Sequence, residues 1–402
     1  MESLQVRRAE RQDTAAVKAL WAYCFERPGD PFFDWYFEKV YRPEEVLVGE
    51  AGGRIACDLH LRPYQLFLRG RAVETDYIVG VATHPAARGR GYAGALLAEA
   101  FRASRKAGKW VDILMPSDGS FYRPLGFAYY AHQWEREAAP VYLGKIGEKP
   151  VRASVIEGAA GAALLDRIYR AYTATRHGYT LRQDRDWERL IAGQLAEGYI
   201  AVVYDEKGPA GYLFYSIEDR KLTVSEMAFS SERGRRGLYA YMAGHLGSVD
   251  QCWWQEPEDD RSYYDWPGGA EHRYIKNQTF PYMMARLTDP VRAFDGCAAP
   301  EGLSGEAVLH IEDPLLPENS GNYRLSLCKG NDGSLRIRAG RTEEAPHFSM
   351  DASAAAELLF GAMTMGDLLR LGHARQEQES PDSLRFLEAA FPREKNWINE
   401  WY

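Results

Sequence analysis

A strand, a basic glycine-rich loop and a helix follow one another between Ile78 and Leu97, and this segment constrains the fold most. Ile78–Thr83 is rich in apolar β-formers, Arg88–Gly91 alternates arginine with glycine, and Gly91–Ala107 has apolar residues at helical spacing. Glycine lets backbone amides approach a ligand closely, and a helix N-terminus presents unpaired amide donors. The segment therefore predicts an α/β domain with a loop suited to binding a diphosphate.

A second polar segment follows the next strand of the sequence. Trp110–Met115 is a strand candidate that stops at Pro116, and Ser117-Asp-Gly-Ser-Phe-Tyr-Arg-Pro-Leu-Gly-Phe127 comes directly after it. Ligands of open α/β sheets bind at the carboxyl ends of the strands, so this segment is expected beside the glycine-rich loop. The phenol of Tyr122, with an ordinary pKa near ~10, is protonated at neutral pH and able to donate a proton.

Taken together, the two segments resemble the acyl-CoA site of the GNAT N-acetyltransferases. In that family the motif Q/R-x-x-G-x-G/A binds the pyrophosphate of acetyl-CoA, and here it reads Arg88-x-x-Gly91-x-Ala93. A tyrosine followed by Gly-Phe/Tyr supplies the general acid in the family, and Tyr122 precedes Gly126-Phe127 here. The resemblance implies a GNAT fold for the first part of the chain.

The chain resembles an active GNAT domain followed by a degenerate GNAT domain and a sterol-carrier-like α+β domain. This order of domains is similar to that of the Eis (enhanced intracellular survival) family of amine acetyltransferases. It implies acetyl-CoA as co-substrate, no metal, Tyr122 as general acid and the C-terminal carboxylate of Tyr402 as general base, although the family often ends in Phe. It also implies a homohexamer. The residues implied to bind the cofactor are Val81, Ala82, Thr83, Arg88, Gly89, Arg90, Gly91, Tyr92, Ala93, Gly94, Ser117 and Asp118.

The strand–arginine/glycine–helix pattern recurs about 145 residues later, which indicates an internal repeat. In this second copy Gly208-Pro209 is predicted as a turn between two strands, and Arg233–Gly237 precedes a helix predicted at Leu238–Leu246. The loop Phe294–Gly305 marks a boundary, after which an antiparallel meander and short helices are predicted.

The predicted fold class is therefore α/β and α+β, with two GNAT-fold domains, each a mixed sheet flanked by helices, and a sterol-carrier-protein-like α+β domain. The predicted domains are an active GNAT domain at 1–150, a degenerate GNAT-like domain at 151–290 and the sterol-carrier-like domain at 291–402. The second domain departs from the cofactor motif, and we expect no CoA there.

Charge and composition exclude several classes of protein. A formal net charge of -8 disfavours a nucleic-acid partner and suits a small cationic amine. No apolar run approaches the ~18 residues needed to span a membrane, and no secretory signal precedes the first strand. The five cysteines are scattered without a C-x-x-C pair, which argues against zinc and a disulfide framework and indicates the cytoplasm.

Several acidic residues are candidates for the acceptor site. Glu26, Asp30 and Asp34 lie where GNAT enzymes often shape the acceptor pocket, although they are more simply read as a solvated face. The run Glu256–Asp260 is interpreted as an exposed loop, with an acceptor cleft as the alternative. The candidate histidines, interpreted as core or surface residues rather than bases, are His60, His84 and His132.

Two interpretations remain open at this level. Another acyl donor such as aminoacyl-tRNA would make the chain a different transferase, and a lipid-binding third domain would make it a non-enzymatic protein. Trp397, Ile398, Trp401 and Tyr402 are too apolar for a free chain end, so they predict a buried terminus, which has either a catalytic role or a packing role alone.

Overall fold

The computed structural model describes residues 4–266 and 275–401, and the chain forms two compact units. The first contains the described residues up to Tyr130, together with Met283–Arg393 and Trp401. The second contains the described residues of Ala131–Tyr282, together with Glu394–Glu400. Residues Glu394–Glu400 therefore belong to a unit whose main body ends at Tyr282, more than a hundred residues earlier in the sequence.

The first part of the first unit is a mixed sheet with helices on both faces. Its strands are β1 (Gln5–Arg8), β2 (Val46–Ala51), β3 (Arg54–Leu68), β4 (Arg71–Thr83), β5 (Val111–Leu114) and the beginning of β6 (Ala128–Ala138). Its helices are α1 (Thr14–Cys24), α2 (Pro31–Trp35), α3 (Tyr92–Lys106) and α4 (Gly119–Tyr122). Strands β1 to β4 pair antiparallel in sequence order, and a turn at Gly52-Gly53 joins β2 to β3 with both glycines in the left-handed region.

The helices cover the two faces of this sheet with different side chains. Val17 and Trp21 of α1 pack with Val48 of β2 on one face. On the other face, Leu97 and Phe101 of α3 pack in a cluster that extends to β3 and β4. The apolar spacing that predicted α3 is thus the spacing of its buried residues.

Strands β4 and β5 run parallel and separate after two paired residues. Asp76 pairs with Asp112 and Tyr77 with Ile113, and β4 then continues to Thr83 without further pairing to β5 in the described residues. Gly80, at φ +61°, forms a bulge in β4 where its register with β3 shifts. A Cβ atom at Gly80 would overlap the ring of Trp21, so only glycine fits at this bend.

The second unit contains a second sheet of similar topology. Its helices are α5 (Pro140–Ile146), α6 (Ala162–Thr173), α7 (Asp184–Glu197) and α8 (Glu232–Ala243). The new strands are β7 (Arg152–Val155), β8 (Tyr179–Thr180), β9 (Tyr199–Asp205), β10 (Gly208–Glu218), β11 (Lys221–Phe229), β12 (Gln251–Pro257) and β13 (Ile275–Leu287). The strand order is β6-β12-β11-β10-β9-β7, with β11 and β12 parallel. The end of β13 belongs to the first unit, where Met284–Leu287 pair with β5.

Two sequence predictions for this sheet are wrong. The turn between β9 and β10 lies at Glu206 and Lys207, because Asp205 accepts a hydrogen bond from the Lys207 amide, and the predicted Gly208 already begins β10. Helix α8 begins at Glu232 instead of Leu238, because Ser231 caps it by accepting a hydrogen bond from Gly234. The arginine- and glycine-rich run is therefore helix and not loop.

The remaining residues of the first unit form a five-stranded sheet with helices. The strands are β14 (Ala307–Glu312), β15 (Gly321–Lys329), β16 (Leu335–Arg341), β17 (Phe348–Asp351) and β18 (Ala374–Gln376). The helices are α9 (Pro290–Phe294), α10 (Ala352–Phe360), α11 (Met365–Leu371) and α12 (Pro381–Ala390). Strands β14, β15 and β16 form the predicted meander, and β17 adds in parallel to β14.

Candidate active site

A cleft of about 600 Å³ opens where β4 and β5 separate. It is bounded by the end of β4, the loop before α3, the N-terminus of α3 and the segment around α4. The residues that line it are Cys24, Phe25, Val81, Thr83, Ala87, Arg88, Gly89, Gly91, Tyr92, Ala93, Gly94, Ser117, Phe121, Tyr122 and Leu125. A volume of this size is typical of small-molecule and cofactor sites.

The loop before α3 presents backbone donors to this cleft. Gly89 and Gly91 adopt left-handed φ angles of +76° and +77°, and a Cβ atom at either would meet no other atom within 4 Å. In the described part of the chain, the amides of Gly89, Gly91, Ala93 and Gly94 have no acceptor. These amides and the positive end of the helix dipole suit a diphosphate.

Arg88 is held beside the strand end by its own side chain. Its Nε donates to the carbonyl oxygen of Thr83 at 3.1 Å, while the guanidinium remains exposed to solvent. The arrangement brings a positive charge to the mouth of the amide cradle, where it favours an anionic ligand.

Tyr122 ends α4 and lies against aromatic rings at the wall of the cleft. Its ring packs edge-on to Phe121 and Phe127, at centroid distances of 4.9 Å and 5.7 Å. Burial raises the pKa of Tyr122 to about 12, and its hydroxyl makes no hydrogen bond to the described residues. The phenol is therefore a protonated donor, accessible to a ligand in the cleft.

The segment that carries Tyr122 is fixed by both local and distant contacts. Asp118 caps α4 by accepting from the Ser120 amide at 2.9 Å. Arg123, which follows Tyr122, donates to Glu357 of α10 at 2.8 Å, and Ser353 of α10 donates to the Arg123 carbonyl at 3.0 Å. The third part of the sequence thus supports the position of the tyrosine.

The structure brings most of the predicted site residues together. Ala82, Arg90 and Asp118 do not line the cleft: the side chain of Ala82 is buried, Arg90 is exposed, and Asp118 acts as a helix cap. Tyr402 lies outside the described residues. The predicted residues that line the cleft are Val81, Thr83, Arg88, Gly89, Gly91, Tyr92, Ala93, Gly94, Ser117 and Tyr122.

The sequence analysis missed several lining residues. Phe121 and Leu125 flank Tyr122 within the recognised segment, so their proximity to the cleft was accessible from the motif itself. Cys24 and Phe25 come from the end of α1, some sixty residues earlier, and no local signal marks them.

The acidic candidates near α1 and α2 have structural partners. Glu26 accepts from the indole nitrogen of Trp21 at 2.9 Å, Asp30 caps α2, and Asp34 accepts from the Gly29 amide at 3.2 Å. Of the histidines, His84 caps a short turn and His60 is buried. Burial, with a smaller contribution from the charge of Arg62, lowers the pKa of His60 to about 3. The Tyr36 hydroxyl lies 2.7 Å from its Nδ1.

The prediction of an exposed loop at Glu256–Asp260 is wrong for Glu256 and Pro257, which are buried at the end of β12, whereas Glu258–Asp260 lie in a turn after the strand. Glu256 is 1 % exposed, forms an ion pair with Arg136 and accepts from the Tyr239 hydroxyl at 2.7 Å. Asp260 pairs with Arg136 at 2.8 Å and Arg235 at 3.1 Å. The arginines that neutralise the run come from distant parts of the sequence.

Asp58 of β3 is a buried acid that the sequence analysis did not single out. It pairs across the strands with Ala82, next to the cleft-lining Val81 and Thr83, and neither of its carboxyl oxygens has a partner in the described residues. Burial raises the pKa of Asp58 well above its ordinary value, so the carboxyl is held neutral.

The described residues contain no group of three or more His, Cys, Asp or Glu side chains that could hold a metal ion. In the same ranges, no helix is long and apolar enough to cross a membrane.

Comparison with protein families assigns the three parts of the chain. An acetyltransferase (GNAT) domain model matches residues 5–130, a second acetyltransferase (GNAT) domain model matches 178–287, and a sterol carrier protein domain model matches 290–399. The chain is an acyltransferase with two GNAT domains and a sterol carrier protein domain. The cleft belongs to the first GNAT domain, α8 belongs to the second, and GNAT acyltransferases use acyl-CoA.

Solved structures share this fold along the whole chain. A GCN5-related N-acetyltransferase from Anabaena variabilis is 18% identical with a TM-score of 0.84, and both chains are covered completely. A probable N-acyltransferase from Enterococcus faecalis is 17% identical with a TM-score of 0.86, again with both chains covered completely. Eis1 from Mycobacterium abscessus is 18% identical with a TM-score of 0.71 over 100% of each chain, which confirms the predicted Eis-like architecture. A search of curated proteins finds no match.

The buried Asp58 predicts a pH-dependent stability. Because the pKa of Asp58 is raised in the folded state, its contribution to the free energy of unfolding is fully present below about pH 4, the pKa of an unfolded aspartate. That contribution is lost as the pH rises through the folded-state pKa. Between pH 5 and pH 8, we expect the free energy of unfolding of the wild type to fall relative to Asp58→Asn, by at most ~1.4 kcal/mol per pH unit. Thermal unfolding at both pH values measures this difference. Asp382→Asn, at an exposed position, is the control, and its difference from the wild type in free energy of unfolding should be the same at both pH values. If the difference between Asp58→Asn and the wild type is also the same at both pH values, Asp58 is not held neutral.

Proposed function

We propose that the protein transfers the acetyl group of acetyl-CoA to a primary amine of a small cationic acceptor, such as an aminoglycoside, a polyamine or a lysine side chain. The observation that carries the proposal is the cleft between β4 and β5, in which the amide cradle of Gly89–Gly94 and the hydroxyl of Tyr122 face one ligand-sized volume. The cradle suits the diphosphate of CoA, and the exposed edge of β4 at Val81 and Thr83 suits its amide-containing arm.

The wall of the cleft and the charge of the chain support a cationic acceptor. Phe25 and Phe121 are large exposed aromatic residues of this wall. Aromatic faces attract ammonium groups, and a net charge of -8 raises the local concentration of cations. The acetyl donor, the class of acceptor, a homohexameric assembly and a cytoplasmic location all remain predictions.

In the proposed reaction, the neutral amine nitrogen attacks the thioester carbonyl carbon. The N–C bond forms, the C–S bond breaks, and the sulfur leaves as a thiolate that receives the proton of the Tyr122 hydroxyl. The acetylated nitrogen then loses one N–H proton to the Tyr122 phenolate, directly or through water, which gives the neutral amide and restores the phenol. With a pKa of about 12, Tyr122 stays protonated until the thiolate develops beside it.

The amine must lose a proton before or during the attack, because a free alkylammonium has a pKa near ~10. We assign this proton to the C-terminal carboxylate of Tyr402, directly or through a water molecule. A terminal carboxyl has a reference pKa of about 3.3–3.7, so it is ionised at neutral pH and also attracts the cationic acceptor.

Filling the cradle with a larger side chain tests the cofactor site. Ala93 is in the first turn of α3 and lines the cleft, whereas Ala95 is exposed on the same helix and does not. Leucine and alanine are both good helix formers, so Ala93→Leu and Ala95→Leu should fold equally well. We expect Ala93→Leu to raise the KM for acetyl-CoA at least tenfold and Ala95→Leu to leave it unchanged, as measured by steady-state kinetics and calorimetric titration. Equal affinities in the two variants would refute the cradle.

Removing the hydroxyl of Tyr122 tests the general acid. The ring of Tyr122→Phe keeps the packing against Phe121 and Phe127, so the fold and the binding of acetyl-CoA should persist. We expect kcat to fall ~10²–10⁴-fold, the usual range for a lost general acid or base. Turnover within a few-fold of the wild type would make Tyr122 a packing residue.

Extending the chain tests the terminal carboxylate. Several residues added after Tyr402 move the carboxylate while every side chain stays in place, and positioning of catalytic groups matters at the ~1 Å scale. We expect a large loss of kcat with acetyl-CoA binding retained, whereas the same residues added before Met1 leave kcat unchanged. A C-terminally extended protein of normal activity would leave the aromatic terminus with a packing role alone.

A further inference from the structure

The second GNAT domain contains the same separation of parallel strands as the first. Residues Lys221–Thr223 of β11 pair with Gln251–Trp253 of β12. Beyond these three pairs the two strands separate, and β12 continues along β6. The edge of β11 at Ser225 and Glu226 thus corresponds to the edge of β4 at Val81 and Thr83. We call this second opening the β11/β12 fork.

The β11/β12 fork differs from the first cleft in that it is filled. The void left in it is about 10 Å³, roughly the space of one water molecule, compared with about 600 Å³ for the first cleft. Trp397 and Asn399 line this void beside Ser225 and Glu226. The occupant is therefore the chain's own segment Glu394–Glu400, which we call the tail.

Hydrogen bonds hold the backbone of the tail along its length. His177 donates to the Lys395 carbonyl and accepts from the Trp397 amide through its backbone, each at 3.0 Å, as in a parallel β-bridge. Gln133 donates through Nε2 to the Ile398 carbonyl at 2.7 Å, and the Tyr282 hydroxyl donates to the Glu400 carbonyl at 2.7 Å. The tail is thus bound as a peptide and is more than an apolar plug.

Asn399 makes the contact with the edge of β11 itself. Its Nδ2 donates to the Ser225 carbonyl at 2.9 Å and to Glu226 Oε2 at 3.0 Å. The Ser225 carbonyl belongs to the edge of β11 that β12 leaves unpaired. The side-chain amide of Asn399 thus supplies the hydrogen-bond donor that a neighbouring strand would otherwise provide. An amide of a bound ligand would fill the same role in the first domain.

A buried ionic cluster locks the end of the tail. Arg182 donates to both oxygens of Glu226 at 2.7 Å and 2.6 Å, and its Nε donates to Glu400 at 3.1 Å. Burial alone raises the pKa of Glu226, but the charge and hydrogen bonds of Arg182 hold it below its ordinary value. Arg182, Glu226 and Glu400 are nearly inaccessible to water, so displacing the tail would remove Glu400 from Arg182 and Asn399 from Glu226 within a buried cluster.

The helix beside the β11/β12 fork has no anion cradle. The side chain of Ser231 accepts a hydrogen bond from the Gly234 amide, so this amide is not available to a ligand. Glu232 puts a carboxylate in the first turn of α8, where a bound phosphate would need positive potential. The fork has thus kept the strand geometry of a ligand site without the residues for a diphosphate.

We propose that the second GNAT domain uses its β11/β12 fork to bind the chain's own tail, and that Asn399, Arg182 and Glu226 are positioning residues for the terminal carboxylate. The proposal rests on the function assigned above to the carboxylate of Tyr402. The two residues that follow Glu400 span at most about 7 Å when fully extended, so an anchored Glu400 restricts where that carboxylate can reach.

The test compares Asn399→Ala with Asn322→Ala in the full-length enzyme. Asn322 also donates its side-chain amide to a carbonyl, that of Glu344 at 2.8 Å, but it lies on β15 of the sterol carrier protein domain. Hydrogen–deuterium exchange of the peptide that contains residues 394–400 reports tail binding, and steady-state kinetics report positioning. Thermal unfolding checks that both variants fold, and Gln133→Ala removes a tail contact from the fork side should Asn399→Ala fail to fold.

We expect Asn399→Ala to increase exchange in the tail and to lower kcat at least tenfold with the KM for acetyl-CoA unchanged, whereas Asn322→Ala alters neither. Unchanged exchange in the tail would overturn the binding role of the fork. Increased exchange with normal kcat would overturn the positioning role. A wild-type enzyme that transfers no acetyl group would refute the proposed function instead, and the exchange comparison would still decide whether the fork holds the tail.

Discussion

The separation of β4 from β5 after Tyr77 and Ile113 is the constraint on which the candidate site depends. Two parallel strands that stay paired leave no room for a ligand, because their edges satisfy each other. Gly80 bends β4 at a left-handed φ against the Trp21 ring, and the strand then presents Val81 and Thr83 to the cleft. Helix α3 brings its amides to the same opening, so strand edge and helix end act on one ligand.

The chain contains this geometry twice and uses it in two ways. In the first GNAT domain the opening is a cleft with left-handed glycines at the helix start, and in the second it is closed by the tail. The two helix starts differ as well: Gly89 and Gly91 leave backbone amides available, whereas Ser231 caps α8 and Glu232 puts a carboxylate in its first turn. A repeated fold therefore does not imply a repeated site.

The pKa values of the acidic groups around the two openings are shifted in opposite directions. Tyr122 and Asp58 lie in apolar surroundings without compensating charge, so burial raises the pKa of each and keeps each protonated. Glu226 is buried as deeply, yet Arg182 holds its pKa below the ordinary value. Desolvation favours the neutral acid unless an opposite charge is buried with it. Tyr122, without such a charge, can therefore donate a proton, whereas Glu226, paired with Arg182, is an ionised anchor of the tail.

The sequence by itself determined the local elements and the residues of the first site. The periodicity of α3, the turn at Gly52-Gly53 and the glycine-rich loop each depend on neighbours within a few residues, and so does the segment around Tyr122. Tertiary structure alone decided the features that need distant partners. Glu256 is buried because Arg136 reaches it from another strand, and the tail is bound because His177, Ser225 and Glu226 meet it across more than 170 residues. Local backbone conformation depends on adjacent residues and can be predicted from them. The partner of a strand edge or of a buried charge depends on residues far away in the sequence, which come together only in the folded chain.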